Sequence, residues 1–163
     1  MNYKSTIRQI ENNPDKKVII TLKDLALSFK NSSNLEENQI IYKVFIKRFS
    51  PINLGLTVIN SGTINKEFYM TRGHIHTKET PEFYILLEGK GILLIQKDRS
   101  KSIKLRKGEI FLIPEAYSHR LINIGNKKLK VLTIYYENAK PNYNIKFKKR
   151  FFKNSKYPNN FYT

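Results

Sequence analysis

An all-β barrel or sandwich is the architecture this chain predicts, on three observations. Apolar residues alternate with polar ones over several short segments, turn-forming clusters separate those segments at short intervals, and only one stretch shows helical spacing. At 19.2 kDa the chain suits one domain that buries roughly two-thirds of its unfolded surface. The expected division is an N-terminal arm with a short helix over 1–39, a barrel over 40–142 and a basic, aromatic tail over 143–163.

In chain order, Thr21 followed by Asp24 has the spacing of a capping box. Leu22, Leu25, Ala26 and Phe29 then recur on one helical face, and Asn31-Ser32-Ser33-Asn34 closes the helix. Everything after it reads as strand and turn. In Tyr42–Lys47 the period is two, with Lys43 and Lys47 opposite Val44 and Ile46. The apolar run Phe83–Leu87 has the length of a strand, and Ser102–Arg106 alternates cleanly. Turns are expected at Asn60-Ser61-Gly62, Glu88-Gly89-Lys90-Gly91, Arg106-Lys107-Gly108 and Gly125-Asn126-Lys127. Gly89 and Gly108 suit tight corners.

Composition narrows the function classes. There is no cysteine, which excludes disulfides, thiolate chemistry and zinc-finger sites and suits a reducing cytoplasm. The first residues form no apolar signal segment, and no apolar run reaches membrane-spanning length, so a soluble cytoplasmic protein is expected. The net charge of +17 invites a nucleic-acid reading. Basic residues are spread over nearly every segment, however, alongside heavy use of Asn and Ile, as an AT-rich coding sequence would produce. The exception is the tail, where Lys146, Lys148, Lys149, Arg150, Lys153 and Lys156 interleave with Phe147, Phe151, Phe152 and Tyr157. Such a segment either grips an anionic polymer or packs its aromatics on the barrel, and packing is the expectation, with nucleic-acid binding only non-specific.

The chemistry centres on histidine. The chain has three in all: His74 and His76, which flank Ile75, and His119. Residues i and i+2 of a strand share a face, so two imidazoles project side by side. Glu82 offers a carboxylate and His119 a third nitrogen from another strand. Three neutral nitrogens and one carboxylate suit Fe(II), Mn(II), Ni(II) or Zn(II) and leave positions open for water or substrate.

The spacing of these residues resembles the two sequence motifs of the cupin superfamily. Gly108, Pro114, Ala116, His119 and Asn123 reproduce the second motif, with Ala116 where glycine is usual. His74, His76, Glu82 and Gly89 reproduce most of the first, with Phe68 in place of its opening glycine. The implied fold is a single cupin jelly-roll barrel. A narrower resemblance, over roughly residues 15–145, is to the cupin-type, archaeal-type glucose-6-phosphate isomerases. It rests on Lys66–Lys78, His119–Gly125, Leu56-Thr57-Val58, Tyr84, Gly89-Lys90-Gly91 and Ile134-Tyr135.

That resemblance implies one divalent metal per chain, Fe2+ foremost with Mn2+, Ni2+ or Zn2+ compatible, held by His74, His76, Glu82 and His119. It implies Glu82 and Tyr84 as catalytic groups and a phosphosugar substrate bound by Thr57, Thr71, Gly73, Tyr135, Tyr143 and Lys78. The implied reaction is interconversion of glucose 6-phosphate and fructose 6-phosphate, through a cis-enediol or a hydride shift, in a homodimer. Departures bear on the substrate. The loop between His76 and Glu82 is one residue shorter than in those isomerases, which makes Glu79 the competing carboxylate. Lys140, Pro141 and Ala116 replace expected pocket residues. A non-catalytic cupin binding a sugar or anionic ligand, or a cupin epimerase or dioxygenase, is the alternative reading.

Overall fold

A computed structural model describes residues 3–30, 38–77 and 80–154. Its elements are α1 (Tyr3–Asn12), β1 (Lys16–Thr21), α2 (Leu22–Leu25, continued by a 3-10 turn at Ala26–Ser28), β2 (Ile40–Phe49), β3 (Ile52–Ile59), β4 (Thr63–Ile64), β5 (Glu67–Phe68), β6 (Ile75–His76), β7 (Glu82–Glu88), β8 (Gly91–Gln96), β9 (Ser100–Lys104), β10 (Ile110–Ile113), β11 (Ser118–Asn123), β12 (Leu129–Tyr136) and β13 (Pro141–Asn142). A six-stranded antiparallel sheet, ordered β1-β2-β3-β12-β7-β10, faces a three-stranded sheet ordered β11-β8-β9. Met70–His74 runs beside β11 and extends the smaller sheet, through bridges Met70–Ile122 and His74–His119. This is the cupin jelly roll the motifs predict.

The interior lies between the sheets, where Ile59, Ile92, Leu93, Leu121, Leu129 and Val131 are each at most 2% exposed. Strand faces follow from the period of two. On β7, Glu82, Tyr84 and Leu86 turn inward, while Phe83, Ile85 and Leu87 turn outward.

Two N-terminal elements go beyond the expected short helix. α1 carries Ile7 and Ile10 on one face and lays them on the outer face of the larger sheet, against Phe45, Leu56, Val58, Leu87 and Leu132. Ile10 is 1% exposed, and burying such a side chain is worth about 2 kcal/mol. β1 pairs with β2 from Lys16 opposite Ile46 to Thr21 opposite Ile40, so the arm supplies an edge strand. The capping box is present: Asp24 Oδ2 accepts from both the backbone N–H and the hydroxyl of Thr21 at 2.8 Å. The expected closing segment Asn31–Asn34 lies outside the described residues.

The tail packs. Phe147 and Phe151 are buried over the outer face of the smaller sheet, while Lys146, Lys148 and Arg150 face solvent. Gln96 donates to Lys146 O at 3.0 Å and accepts from Lys148 N at 3.0 Å. Arg150 Nη1 reaches both oxygens of Glu67 at 2.9 Å, and Lys30 N donates to the same carboxylate, which joins tail, β5 and arm. Covering this sheet on both faces explains why Gly91–Gln96 is buried at every position and shows no alternation. Lys156 and Tyr157 lie outside the described residues.

Candidate metal and substrate site

His74 and His76 flank Ile75 at β6, with rings 4.8 Å apart, and project to the same side. His119 arrives from β11, bridged to His74 by His74 N–H to His119 O at 3.1 Å and His119 N–H to His74 O at 2.8 Å. Glu82 opens β7 on its inward face and is 4% exposed. The shortened loop therefore still delivers Glu82 to the cluster. Glu79, the competing carboxylate, lies outside the described residues, as does Lys78.

The four donors converge. Nε2 of His74 and Nε2 of His76 are 3.3 Å apart, and Glu82 Oε2 lies 3.0 Å from the Nε2 atoms of His76 and His119. Ligand atoms each about 2.1 Å from one ion stand about 3.0–3.4 Å apart between octahedral and tetrahedral angles. All four donor atoms fall within 4.8 Å of one another. His119 Nδ1 donates to Tyr117 O at 3.2 Å, which puts the proton on that nitrogen and leaves Nε2 bare. His119 Nε2 thus sits 3.0 Å from a carboxylate oxygen and makes no hydrogen bond to it. Two lone pairs facing each other in a buried site repel, and a cation between them converts the repulsion into ligation. The residues fit a divalent metal.

Electrostatics agree. Burial, followed by repulsion from His119, lowers the His74 pKa to about 3, so the imidazole is neutral and able to ligate. Burial alone would raise the Glu82 carboxyl, but a proton held between it and His119, or between it and His76, outweighs burial and holds the group at about 2.

The other expected residues lie around this cluster at different depths. Tyr84, two residues beyond Glu82 on the same face, sets its ring edge-on 5.8 Å from His119, and burial pushes its hydroxyl well above the usual range. Tyr143 lies half exposed with its ring 5.6 Å from that of His74, and the Arg72 guanidinium lies over the Tyr143 ring, 5.6 Å from its centroid. Tyr135 faces inward on β12 directly opposite Asn53, which hydrogen-bonds its hydroxyl. Thr57 is buried on β3, opposite Val131 and Val44, and so two inward rows away from Tyr135. Thr71 Oγ1 accepts from Leu121 N at 3.0 Å, and Gly73 takes φ +76° in the bulge before His74.

Three contributors escaped the sequence. An added Cβ on Gly55 would meet Thr133 Oγ1 at 2.5 Å and the Tyr135 ring at 3.3 Å, so its bare backbone is what lets Tyr135 lean across β3. Tyr42 is buried, accepts from Arg72 N at 3.5 Å, and is pushed by burial to about 12. Asn53 carries a buried Oδ1 with no described partner. Each is placed by strand register, and no local pattern marks it. Pro141, one of the departures, pairs with His76 through β13, and Lys140 O accepts from Thr77 N at 3.0 Å. Ala116 adopts φ +62°, which accounts for the glycine usual at that motif position. Asn123 is structural: its Nδ2 donates to Ile59 O, Asn60 O and Lys127 O.

Comparison with known proteins places this geometry in a family. The family model described as glucose-6-phosphate isomerase (GPI) matches residues 11–154. The chain is 32% identical to the glucose-6-phosphate isomerase of Pyrococcus furiosus over 125 residues, covering 72% of this chain and 66% of that protein. It is 29% identical to that of Pyrococcus abyssi over 140 residues, covering 78% and 74%. Among solved structures, Bacillus subtilis oxalate decarboxylase superposes with a TM-score of 0.51 at 22% identity, covering 60% of this chain and 26% of the other, a likeness of fold alone. With its barrel, its motifs and these relatives taken together, the chain belongs to the glucose-6-phosphate isomerase family, in its cupin-fold form.

Proposed function

We propose that this protein is a metal-dependent aldose–ketose isomerase that interconverts glucose 6-phosphate and fructose 6-phosphate. The observation that carries the reading is the convergence of three imidazole nitrogens and the Glu82 carboxylate at the barrel interior, ringed by Tyr84, Tyr135 and Tyr143. A divalent ion held by His74, His76, Glu82 and His119 would supply electrophilic stabilisation to the oxyanion that develops at O1 or O2 of the sugar.

The chain's own groups do the rest. Glu82, kept ionised, is placed to carry a proton between C1 and C2 in the cis-enediol route. The alternative is direct transfer of hydride between the two carbons, which needs no base at carbon. Tyr84 stays protonated at neutral pH and donates to a sugar oxygen, and the Tyr143 ring closes one side. Thr57, Thr71, Gly73 and Tyr135 hold the phosphate through hydroxyls and a backbone N–H, with Lys78 assisting.

The deciding assay follows fructose 6-phosphate conversion by the metal-loaded protein with and without EDTA. EDTA-sensitive turnover supports the reading. Binding without turnover would support the non-catalytic alternative, and neither would sink both. Running the reaction in D2O tests the enediol route: deuterium at C2 of glucose 6-phosphate requires it, whereas full retention of the substrate hydrogen fits hydride transfer or a proton returned before exchange.

The homodimer is proposed to form on the outer face of the larger sheet. There Phe49, Ile52, Phe83, Ile110, Leu112 and Tyr136 are 37–66% exposed, and cross-strand pairing joins them into one band beyond the cover of α1. A contiguous apolar patch on the order of 500 Å² marks an interface, and its self-complementary apolar character fits a second copy of this chain. Leu112→Lys should shift the mass in light scattering from dimer to monomer; a wild-type monomer refutes the assignment.

A further inference from the structure

Arg120, next to the ligand His119, is 6% exposed, and among the described residues no carboxylate comes within ion-pair distance of it. Burial lowers its pKa to about 10, so it is still a cation at neutral pH. Its Nε and Nη2 both donate to the carbonyl oxygen of Arg72, at 3.2 and 2.6 Å. Nη1 points at Met70 Sδ at 3.2 Å, and the guanidinium stacks 4.4 Å from the centroid of Phe147. Desolvating a charge merely to cap one carbonyl is an expensive solution when a neutral donor would serve.

The surrounding ladder shows what the grip does. Thr71 N donates to Leu121 O at 2.9 Å, Leu121 N donates to Thr71 Oγ1 at 3.0 Å, and His74 and His119 exchange both backbone bonds. Between these anchors Arg72 and Gly73 form a two-residue bulge opposite Arg120 alone. The Arg72–Gly73 peptide is planar and trans, so its C=O and N–H point in opposite directions. His119 faces the interior, so Arg120 points to the outer side, beneath Phe147, and takes the carbonyl there. The Gly73 N–H is thereby turned to the inner side, where Tyr42 accepts from the preceding Arg72 N–H at 3.5 Å. No described residue accepts from Gly73 N–H. A Cβ on Gly73 would come within 2.4 Å of Phe147 and 3.0 Å of His119 O, so the bulge is tightly set.

We propose that Arg120 is a positioning residue whose two-bond hold on the Arg72 carbonyl aims the Gly73 N–H into the barrel and polarises it as a donor to the substrate phosphate. The inference rests on the phosphosugar reading above and extends it to a residue that never touches the ligand. A cation on the carbonyl draws electron density through the peptide and strengthens the N–H as a donor. Successive inward amides at Arg72 and Gly73 also form the kind of concavity that receives anions.

The chain contains a single Arg–Gly step, so labelling arginine with 13C at the carbonyl and glycine with 15N yields one resonance pair from this one peptide. Zinc-loaded protein is titrated with inorganic phosphate and with fructose 6-phosphate, in wild type, Arg120→Met and Arg120→Lys. The wild-type signal should move with either ligand. In Arg120→Met the ligand-free signal should be displaced, its response lost, and KM raised about tenfold with kcat within a few-fold, as expected for one hydrogen bond made equally in ground and transition states. Arg120→Lys, which keeps the charge without the fork and guards against a misfolded Met variant, should fall between. An unmoved peptide signal in both variants overturns the grip. A lower melting temperature with unchanged KM reduces Arg120 to a structural role and also overturns the proposal. A wild-type signal blind to both ligands overturns the donor assignment. A wild-type signal that moves while turnover is absent supports the positioning role and sinks the isomerase reading instead.

Discussion

Replacing Glu82 by Gln takes one negative charge out of the buried cluster and leaves its shape almost unchanged. A carboxyl held at about 2 against an ordinary 4.5 favours the anion by about 3 kcal/mol, an advantage the amide cannot have. Because the folded-state pKa is lowered, that contribution is present above pH 4.5 and is lost as pH falls from 4.5 toward 2. Metal-free wild-type protein should lose melting temperature across this window, and metal-free Glu82→Gln should lack the Glu82 share of that slope while keeping the share from His74, held at about 3. The metal arm is larger. A substituted direct ligand should weaken affinity beyond the roughly 10–100-fold typical of groups that only support ligands. At saturating metal, fructose 6-phosphate turnover should fall by about 10²–10⁴, the range for a lost proton-transfer group, while phosphosugar binding largely survives. Equilibrium dialysis with elemental analysis reads the first arm and a coupled assay the second. Glu79→Gln is the control and should stay within a few-fold. Retained turnover in Glu82→Gln with collapse in Glu79→Gln would refute the reasoning, because β7 would then have to present its other face.

Purified protein should carry about one Fe, Mn, Ni or Zn ion per chain, and His76→Ala should lose it on dialysis; a wild type that cannot be loaded removes the site altogether. Ala116→Gly should raise stability by about 1 kcal/mol, roughly 3 °C in melting temperature, by relieving φ +62°. No gain in thermal scans would show that the turn carries no strain. Tyr42 is pushed by burial to about 12, so its protonated form stabilises the fold fully below pH 10 and that stabilisation is lost as pH rises from 10 through 12. Urea melts of Tyr42→Phe should lack about 2–3 kcal/mol of the alkaline decline seen in wild type, and identical slopes would contradict the buried phenol.

The local physics of short segments was legible. The Thr21–Asp24 cap needs only neighbours in sequence, and so does the common side of His74 and His76, since a period of two is a property of the strand itself. Gly89 and Gly108 were readable as corners for the same reason, and both take positive φ. The tail's aromatics were readable as a packing face because basic residues alternate with them, although the sheet they cover could not be named.

Other features depended on partners distant in the chain. α1 offers just Ile7 and Ile10 to a core, too little for a helical period in ten residues, and it is held by the outer sheet face against which Ile10 is buried. β1 begins with two lysines and shows no alternation; its strand state comes from the hydrogen bonds of β2.

By itself, the sequence determined the barrel class, the candidate ligand set of His74, His76, Glu82 and His119, and the family, because these rest on residue types at fixed spacing. Tertiary structure decided how that carboxylate arrives among the imidazoles, since the register of β7 against β12 and β10 turns Glu82 to the inner face. It likewise decided that Gly55 makes room for Tyr135 and that Arg120 reaches round to the Arg72 carbonyl. Those contacts join residues 80 and 48 positions apart, a distance over which folding sets proximity and chain connectivity carries no local signal of it.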